Sequence, residues 1–414
     1  MEALKGIALK NNWELKLISD VVFFQEGPGV RKQQYTPRGV KLLNVTNILD
    51  GSLDLDSTDR YISEEEAYGK YKHFLVDEGD LLIACSGIQI SYFDKKISFV
   101  TSEDLPLCMN TSTMRFKTKD KNKLNIKYFY YFLKSNYFKK QLARQITGSA
   151  QLNFGPSHIK KMYVVIPDID YQIKIINILD RIINLIKIRK EQIQAYDDLI
   201  ESLFYKFIRS DYIHGISFDD LFEIIDGDRG KNYPKKNDLL EKGYCLFLNA
   251  KNVTKYGFKF DELEFITEEK DKVLRKGRAS CGDFILTTRG TVGNIAYIDE
   301  DINFKNIRIN SGMVILRKKM ELNPKFFEIV IRKTDILNKA MSGSAQPQLP
   351  IKSLKKVNVP MIDIKIQNKF ADYVVKIEEE KKKLRVSLDE LEIFFDGLMQ
   401  DAFSGNLFKE WEGR

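Results

Sequence analysis

Basic and amide side chains gather on two stretches of this chain. Residues 25–38 hold Arg31, Lys32, Gln33, Gln34 and Arg38 beside Tyr35, and residues 228–236 hold Arg229, Lys231, Lys235 and Lys236 beside Tyr233. Two shorter segments continue the theme. Ser86-Gly87-Ile88-Gln89 offers Ser86 and Gln89, and Thr288-Arg289-Gly290-Thr291 offers Thr288, Arg289 and Thr291. Lys and Arg neutralise phosphates, while Arg, Gln and hydroxyl side chains fit the donor and acceptor pattern of base edges. Any one of these residues alone is an ordinary solvated loop residue. Together, on corresponding loops, they point to contact with double-stranded DNA.

Other chemistries are missing. No G-x-x-x-x-G-K-[ST] loop, G-x-S-x-G elbow or H-E-x-x-H pair occurs. No Asn/Asp-Pro-Pro-aromatic methylation motif occurs either. The three histidines, His73, His158 and His214, lie far apart and are expected to be surface or locally bonded. Cys85, Cys108, Cys245 and Cys281 form no C-x-x-C pair, so neither a zinc site nor a disulfide framework is expected. Asp80 and Asp283 precede strands, where Asp makes local turn bonds. The expectation is no catalytic residue, no bound metal and no cofactor held by this chain.

Bulk properties agree with a protein of two or three domains: 414 residues, 43% hydrophobic and 30% charged. The 66 basic against 58 acidic residues leave +8, compatible with nucleic acid without requiring it. Residues 1–10 lack the apolar core of a signal peptide, and no run of about 18 uncharged apolar residues is present. A cytoplasmic chain with no membrane partner is expected.

These residues are positioned by an internal repeat. Gly148-Ser149-Ala150-Gln151 returns as Gly343-Ser344-Ala345-Gln346, a shift of 195. Lys160-Lys161 and Gln172 return at the same shift as Lys355-Lys356 and Gln367. Upstream, Glu78-Gly79-Asp80-Leu81-Leu82-Ile83 resembles Cys281-Gly282-Asp283-Phe284-Ile285-Leu286, and Asn44-Val45-Thr46-Asn47 resembles Asn249-Ala250-Lys251-Asn252. Each copy reads as an α+β domain. Strands are expected near 41–45, 80–84, 96–100 and 113–117, with a helix at 126–144, then near 245–248, 283–287, 295–298 and 313–316, with a helix at 324–341. Pro167 and Pro360 should mark the junction between each domain and a long helix.

Each copy ends in that long Gly- and Pro-poor helix, near 171–207 and 366–403. Apolar residues return at alternating spacings of three and four. Leu179, Ile186, Ile193, Ile200 and Leu203 form one seam, and Val374, Ile377, Leu384, Leu388, Phe395 and Leu398 form the other. Lys190 and Asp197 interrupt the first seam, and Lys381 fills one position of the second. Two such helices in one chain favour a pair about a pseudo-two-fold axis, and an antiparallel pairing would place the domains at opposite ends of a rod. The expected order is a domain at 1–168, a helix at 169–210, a domain at 211–362, and a helix with its tail at 363–414.

Gly-Ser-Ala-Gln, a Lys-Lys strand, Pro and Gln, then a long helix, all twice in one chain, resemble the specificity subunit of type I restriction-modification enzymes. The ending Ala402-Phe403-Ser404-Gly405-Asn406-Leu407 resembles that family's C-terminus, and the likeness runs from about residue 13 to 407. The resemblance implies two target recognition domains separated by an antiparallel coiled coil. It also implies two methyltransferase subunits docked on the helices and, in a complete restriction system, a translocating restriction subunit. S-adenosylmethionine, ATP and Mg would belong to those partners. The target would be bipartite and asymmetric. The first copy departs in lacking the Phe-Ser-Gly ending. The residues by themselves leave open a specificity subunit of another methylation or cleavage system, and a coiled-coil scaffold without DNA.

Overall fold

A computed structural model describes residues 2–146, 152–211, 214–343 and 346–408. The first Gly-Ser-Ala-Gln, together with Ser344 and Ala345 of the second, lies outside the described residues. The chain divides into two units: residues 1–189 with 387–414, and residues 190–386.

In the first unit, strands Val22–Glu26, Thr113–Thr118, Leu81–Ala84 and Ile97–Phe99 form a four-stranded sheet in that order. Tyr61–Ile62, Val40–Leu43 and Leu107–Met109 form a second sheet. Leu81 to Ala84 are all buried, as expected of a central strand covered on both faces. The expected helix at 126–144 is in fact two, Ile126–Lys134 and Asn136–Gln145. Ser135 breaks it: with ψ 154° its backbone leaves the helix, and its hydroxyl accepts the Phe138 N–H to cap the next one. Glu14–Leu17 pairs antiparallel with Tyr163–Ile166, closing the domain just before the long helix.

The second unit repeats this order with Phe222–Asp226, Met313–Lys318, Asp283–Thr287 and Ile295–Tyr297. Its second sheet, Phe265–Ile266, Cys245–Leu248 and Ile307–Ile309, gains the edge strand Arg278–Ala279. The helix expected to reach 341 stops at Lys333, where the Thr334 hydroxyl donates to the Val330 carbonyl at 2.6 Å. Pro360 does not end its strand. It sits inside Asn358–Met361, opposite Gly215 in a two-stranded sheet where its missing N–H can be tolerated.

The long helices run Ile169–Asp211 and Ile364–Ser404. Asp168 caps the first through the Tyr171 N–H at 2.8 Å, and Asp363 caps the second through the Lys365 N–H at 2.8 Å. The second ends at Gly405, whose φ of +74° suits glycine and closes a helix. Asn11 donates to the Ser404 carbonyl there at 3.1 Å.

In the first unit, Ile175, Leu179 and Ile183 share a core with Phe395, Leu398, Met399, Ala402 and Phe403. The Phe403 ring lies 5.3 Å from Tyr128 and 5.7 Å from Phe132, so the C-terminal helix is also sealed onto the domain. In the second unit, Phe370 meets Phe204 and Phe207 at 6.2 and 5.6 Å. Farther along, Lys381 pairs with Asp197. As one residue number falls, its partner's rises, so the segments are antiparallel. Ile200 and Val374 are buried, Leu203 and Ile377 pack against the same core, and Ile186, Ile193, Leu384 and Leu388 are half-buried. The polar residues Asp197 and Lys381, which interrupt the two seams, therefore answer each other. Lys381 is 7% exposed and its ammonium reaches the Asp197 carboxylate.

Candidate nucleic-acid interface

Each domain builds part of its candidate interface around one turn. In the second domain this is Asn310-Ser311-Gly312. The Asn310 side chain accepts the Gly312 N–H at 2.9 Å, and the Gly312 carbonyl accepts the N–H groups of Thr288 and Arg289 at 2.8 and 3.1 Å. Arg229 donates to the Ser311 carbonyl at 3.3 Å and pairs with Asp226 at 3.0 Å. Arg229 and Arg289, far apart in sequence, thus flank the same turn, and both are exposed. Gly227 permits this: a Cβ there would lie 2.2 Å from the Asn310 carbonyl oxygen.

The first domain has the same framework. The Cys85 N–H donates to Ser112 O at 2.8 Å where Thr288 donates to Gly312, and Phe154 N–H donates to Cys85 O at 3.0 Å where Leu349 donates to Thr288 at 2.9 Å. A Cβ on Gly27 would lie 2.1 Å from the Asn110 carbonyl oxygen. Ser86 and Gln89 come next, around Gly87 with φ +71°. Strand Ser86–Ile88 pairs with Leu152–Asn153, and Arg289 bridges to Gln348. Both loops are therefore stitched beside the segments just after the Gly-Ser-Ala-Gln repeats.

Arg31 and Lys32, like Lys235 and Lys236, sit on short turns of one design. Lys32–Gln34 and Lys236–Asp238 are 3-10 turns in which the third side chain reaches back: Gln34 accepts the Arg31 N–H at 3.0 Å, and Asp238 accepts the Lys235 N–H at 2.8 Å. Arg31, Lys32, Gln33, Arg38, Lys231, Lys235 and Lys236 are exposed. Asp228 braces the second loop by accepting the N–H groups of Gly230 and Arg275 at 2.9 and 2.7 Å, and these bonds hold its carboxyl below the usual range. Thr291 is exposed. Two expected readers are instead tied into the fold. Thr288 is 4% exposed with its hydroxyl donated to the Gly312 carbonyl, and the Gln34 amide donates to Glu66 and Tyr71 at 2.7 and 3.0 Å.

Sequence reasoning missed the asparagines that organise this surface. Asn110 donates to Asn44 Oδ1 at 3.0 Å, and Arg60 donates to the same oxygen at 3.3 Å. Arg60 also lies 5.7 Å over the Tyr35 ring. In the second domain, Asn249 donates to Glu264 at 3.0 Å. The repeat of Asn44 and Asn249 was the available signal, but a repeat alone does not separate framework from site.

The carboxylates expected to be structural are so. Asp80, 2% exposed, meets Arg115 and Lys117 at 3.4 and 3.0 Å, and Asp283, 2% exposed, accepts two bonds from Arg317 at 3.0 and 2.8 Å. His158 Nδ1 accepts the Gly155 N–H at 3.1 Å, a local bond. Among the described residues no group of His, Cys, Asp and Glu could hold a metal ion, and no helix is long and apolar enough to cross a membrane.

A profile of the type I restriction modification DNA specificity domain matches residues 10–195 and again 216–388. The type I restriction enzyme MjaVIII specificity subunit of Methanocaldococcus jannaschii is 26% identical over 198 residues, which cover 47% of this chain and 46% of that protein. That match spans under half of the relative. Among solved structures, the S subunit of a type I restriction-modification system from M. genitalium aligns over 95% of this chain and 96% of its own, with 18% identity and a TM-score of 0.51. A chain described with the complex assembly and conformational transition of the type I R-M system aligns over 95% and 98%, with 14% identity and a TM-score of 0.60. At these identities the likeness is one of fold.

Proposed function

This chain belongs to the family of type I restriction modification DNA specificity domains, and on that footing we propose that it is the non-catalytic subunit that reads a bipartite, asymmetric DNA target. One half-site is read by each domain. The observation that carries this reading is a shared hydrogen-bond framework bearing different side chains. Cys85–Ser112 and Thr288–Gly312 are matched bonds, yet the solvent-facing residues beside them are Ser86 and Gln89 in one copy and Arg289 and Thr291 in the other. A common scaffold with divergent donors gives two specificities on one chain.

Within this proposal, Arg31, Lys32, Gln33, Arg38, Arg229, Lys231, Lys235, Lys236 and Arg289 contact phosphates and base edges. Two methyltransferase subunits dock along the helix pair, and in a complete restriction system a restriction subunit joins them. Methyl transfer from S-adenosylmethionine, and any ATP- and Mg-dependent cutting, is done by those partners in the cytoplasm. Support for partner docking comes from exposed apolar side chains on the helices: Leu185, Ile188, Ile393 and Phe394 in the first unit, and Leu199, Val375 and Val386 in the second.

The test is co-expression with the adjacent methyltransferase gene and single-molecule methylome sequencing. A two-part motif with a fixed gap is expected. The purified chain alone should transfer no methyl group from S-adenosylmethionine; measurable transfer by it would sink the division of labour.

A further inference from the structure

The two domains carry opposite charges at one structurally identical position. Leu42 N–H donates to Arg60 O at 2.9 Å, and Phe247 N–H donates to Glu264 O at 2.8 Å. Tyr61-Ile62 and Phe265-Ile266 come directly after, in matched pairings with Val40–Leu43 and Cys245–Leu248. The side chains also share a neighbour. Arg60 donates to Asn44, and Glu264 accepts from Asn249, the equivalent asparagine at the head of the same 3-10 turn. Among the described residues neither Arg60 nor Glu264 forms an ion pair.

Position argues against a purely structural role. A residue kept for folding would keep its charge in both copies, as Asp80 and Asp283 do with their cations. Here the asparagine is kept and its partner is reversed, the amide presenting its oxygen to Arg60 and its nitrogen to Glu264. Both sites also adjoin the candidate interface. Arg60 lies over Tyr35 of the first basic loop, and Asn44 binds Asn110 of the central turn. In the second domain, Asn310 N–H donates to Leu248 O, one residue before Asn249, and a Cβ placed on Gly290 of the Arg289 loop would lie 4.0 Å from the Ala250 side chain.

We propose that Arg60 and Glu264 are equivalent base-reading residues of opposite chemistry, with Arg60 taking a guanine edge and Glu264 the amino group of a cytosine. A guanidinium donates to guanine O6 and N7, and a carboxylate accepts from cytosine N4. Asn44 and Asn249 orient them, leaving the remaining donors and acceptors for DNA. Both contacts require a G·C pair, so each half-site contains one, with guanine facing Arg60 and cytosine facing Glu264. This rests on the two-reader function proposed above.

The test uses the full chain assembled with its methyltransferase partner. Wild-type, Arg60→Gln and Glu264→Gln complexes are compared by methylome sequencing and by competition binding with base-substituted duplexes. Glu264→Gln should reduce a roughly ten- to hundred-fold preference at one G·C pair of the second domain's half-site to near parity. The other half-site should be unchanged, which reports intact folding. Arg60→Gln should do the same in the other half. Undiminished preference in either variant overturns the inference, as does uniform weakening across all duplexes with a flatter salt dependence, the mark of a phosphate contact. A wild-type half-site without a specified G·C pair overturns it too, leaving the two-reader function intact. A wild-type motif that is not bipartite would instead overturn that function. If Glu264→Gln abolishes binding, Glu264→Asp decides: retained cytosine preference at lower affinity supports the inference, and loss of affinity without any base preference overturns it.

Discussion

The side-chain oxygen of Gln172 accepts the backbone N–H of Asn125 at 2.9 Å, and Gln367 makes the same bond to Asn323 at 3.0 Å. Each glutamine lies in the first turn of a long helix and is buried, and each also donates to a carbonyl just before its helix, Pro167 at 2.8 Å or Ile362 at 2.9 Å. One amide thus ties the helix start to the cap of the domain's own helix. A buried backbone group left unpaired costs about 1–3 kcal/mol. Gln172→Leu and Gln367→Leu should each lower unfolding free energy by about that much in urea melts. A change below ~0.5 kcal/mol in both would remove the bond's structural importance.

Asp197 and Lys381 pair where the helices meet, with Lys381 buried and Asp197 partly open to solvent. Removing the acid alone leaves a mostly buried ammonium unpaired. Because the Asp197 side chain is 39% exposed, the loss should be smaller than for a fully buried pair, about 1–2 kcal/mol for Asp197→Ala. Replacing both by leucine should recover stability or exceed it. Chemical denaturation of the two variants checks both signs.

Arg229 and Arg289 flank the Ser311-Gly312 turn, so their loss should act on one half-site. Substituting Arg229, Lys231 and Arg289 should alter or weaken recognition of the second domain's half-site only. A lost bidentate base contact removes ~1–3 kcal/mol of discrimination, and a lost phosphate contact flattens the salt dependence. Equal change in both halves of the methylated motif would count against two independent readers.

Three of the four cysteines are buried. Burial pushes the thiols of Cys85 and Cys108 up to about 12 and that of Cys245 up to about 11, while Cys281 is exposed. The thiolate is the reactive form, so a colorimetric thiol reagent near neutral pH should find one fast equivalent and three slow ones. Cys281→Ser should remove the fast phase. Two or more fast equivalents in the folded protein would contradict this burial.

If the helix pair sets the gap between half-sites, its length is a ruler. Four residues inserted near Arg189 add about one turn, roughly 6 Å, and a base pair advances ~3.4 Å. The spacer in the methylated motif should grow by about one or two base pairs with both halves retained. Two inserted residues rotate the seam far more and should impair folding or partner docking. An unchanged spacer in an active four-residue variant ends the ruler hypothesis.

The repeat, the two long helices and the absence of catalytic motifs were legible in the sequence because they are local or periodic. Gln172 and Gln367, Asp80 and Asp283, and the 3-4 seams each announce themselves by recurrence. Helix ends were less legible. The Ser135 hydroxyl donates to the Phe132 carbonyl at the end of one helix and caps the next through the Phe138 N–H, and the Thr334 hydroxyl donates to the Val330 carbonyl where another helix ends; hydrophobic periodicity does not register such bonds. The pairing of Asp197 with Lys381 was beyond reach for another reason, since each looks like a defect until the antiparallel register brings them together. The surface for DNA shows the same division. Residue types identified the basic loops, but only the folded chain ties Arg229 and Arg289 to the same turn and sets Arg60 and Glu264 on matching asparagines. Those meetings depend on hydrogen bonds between strands distant in sequence, and that information exists only once the sheets have formed.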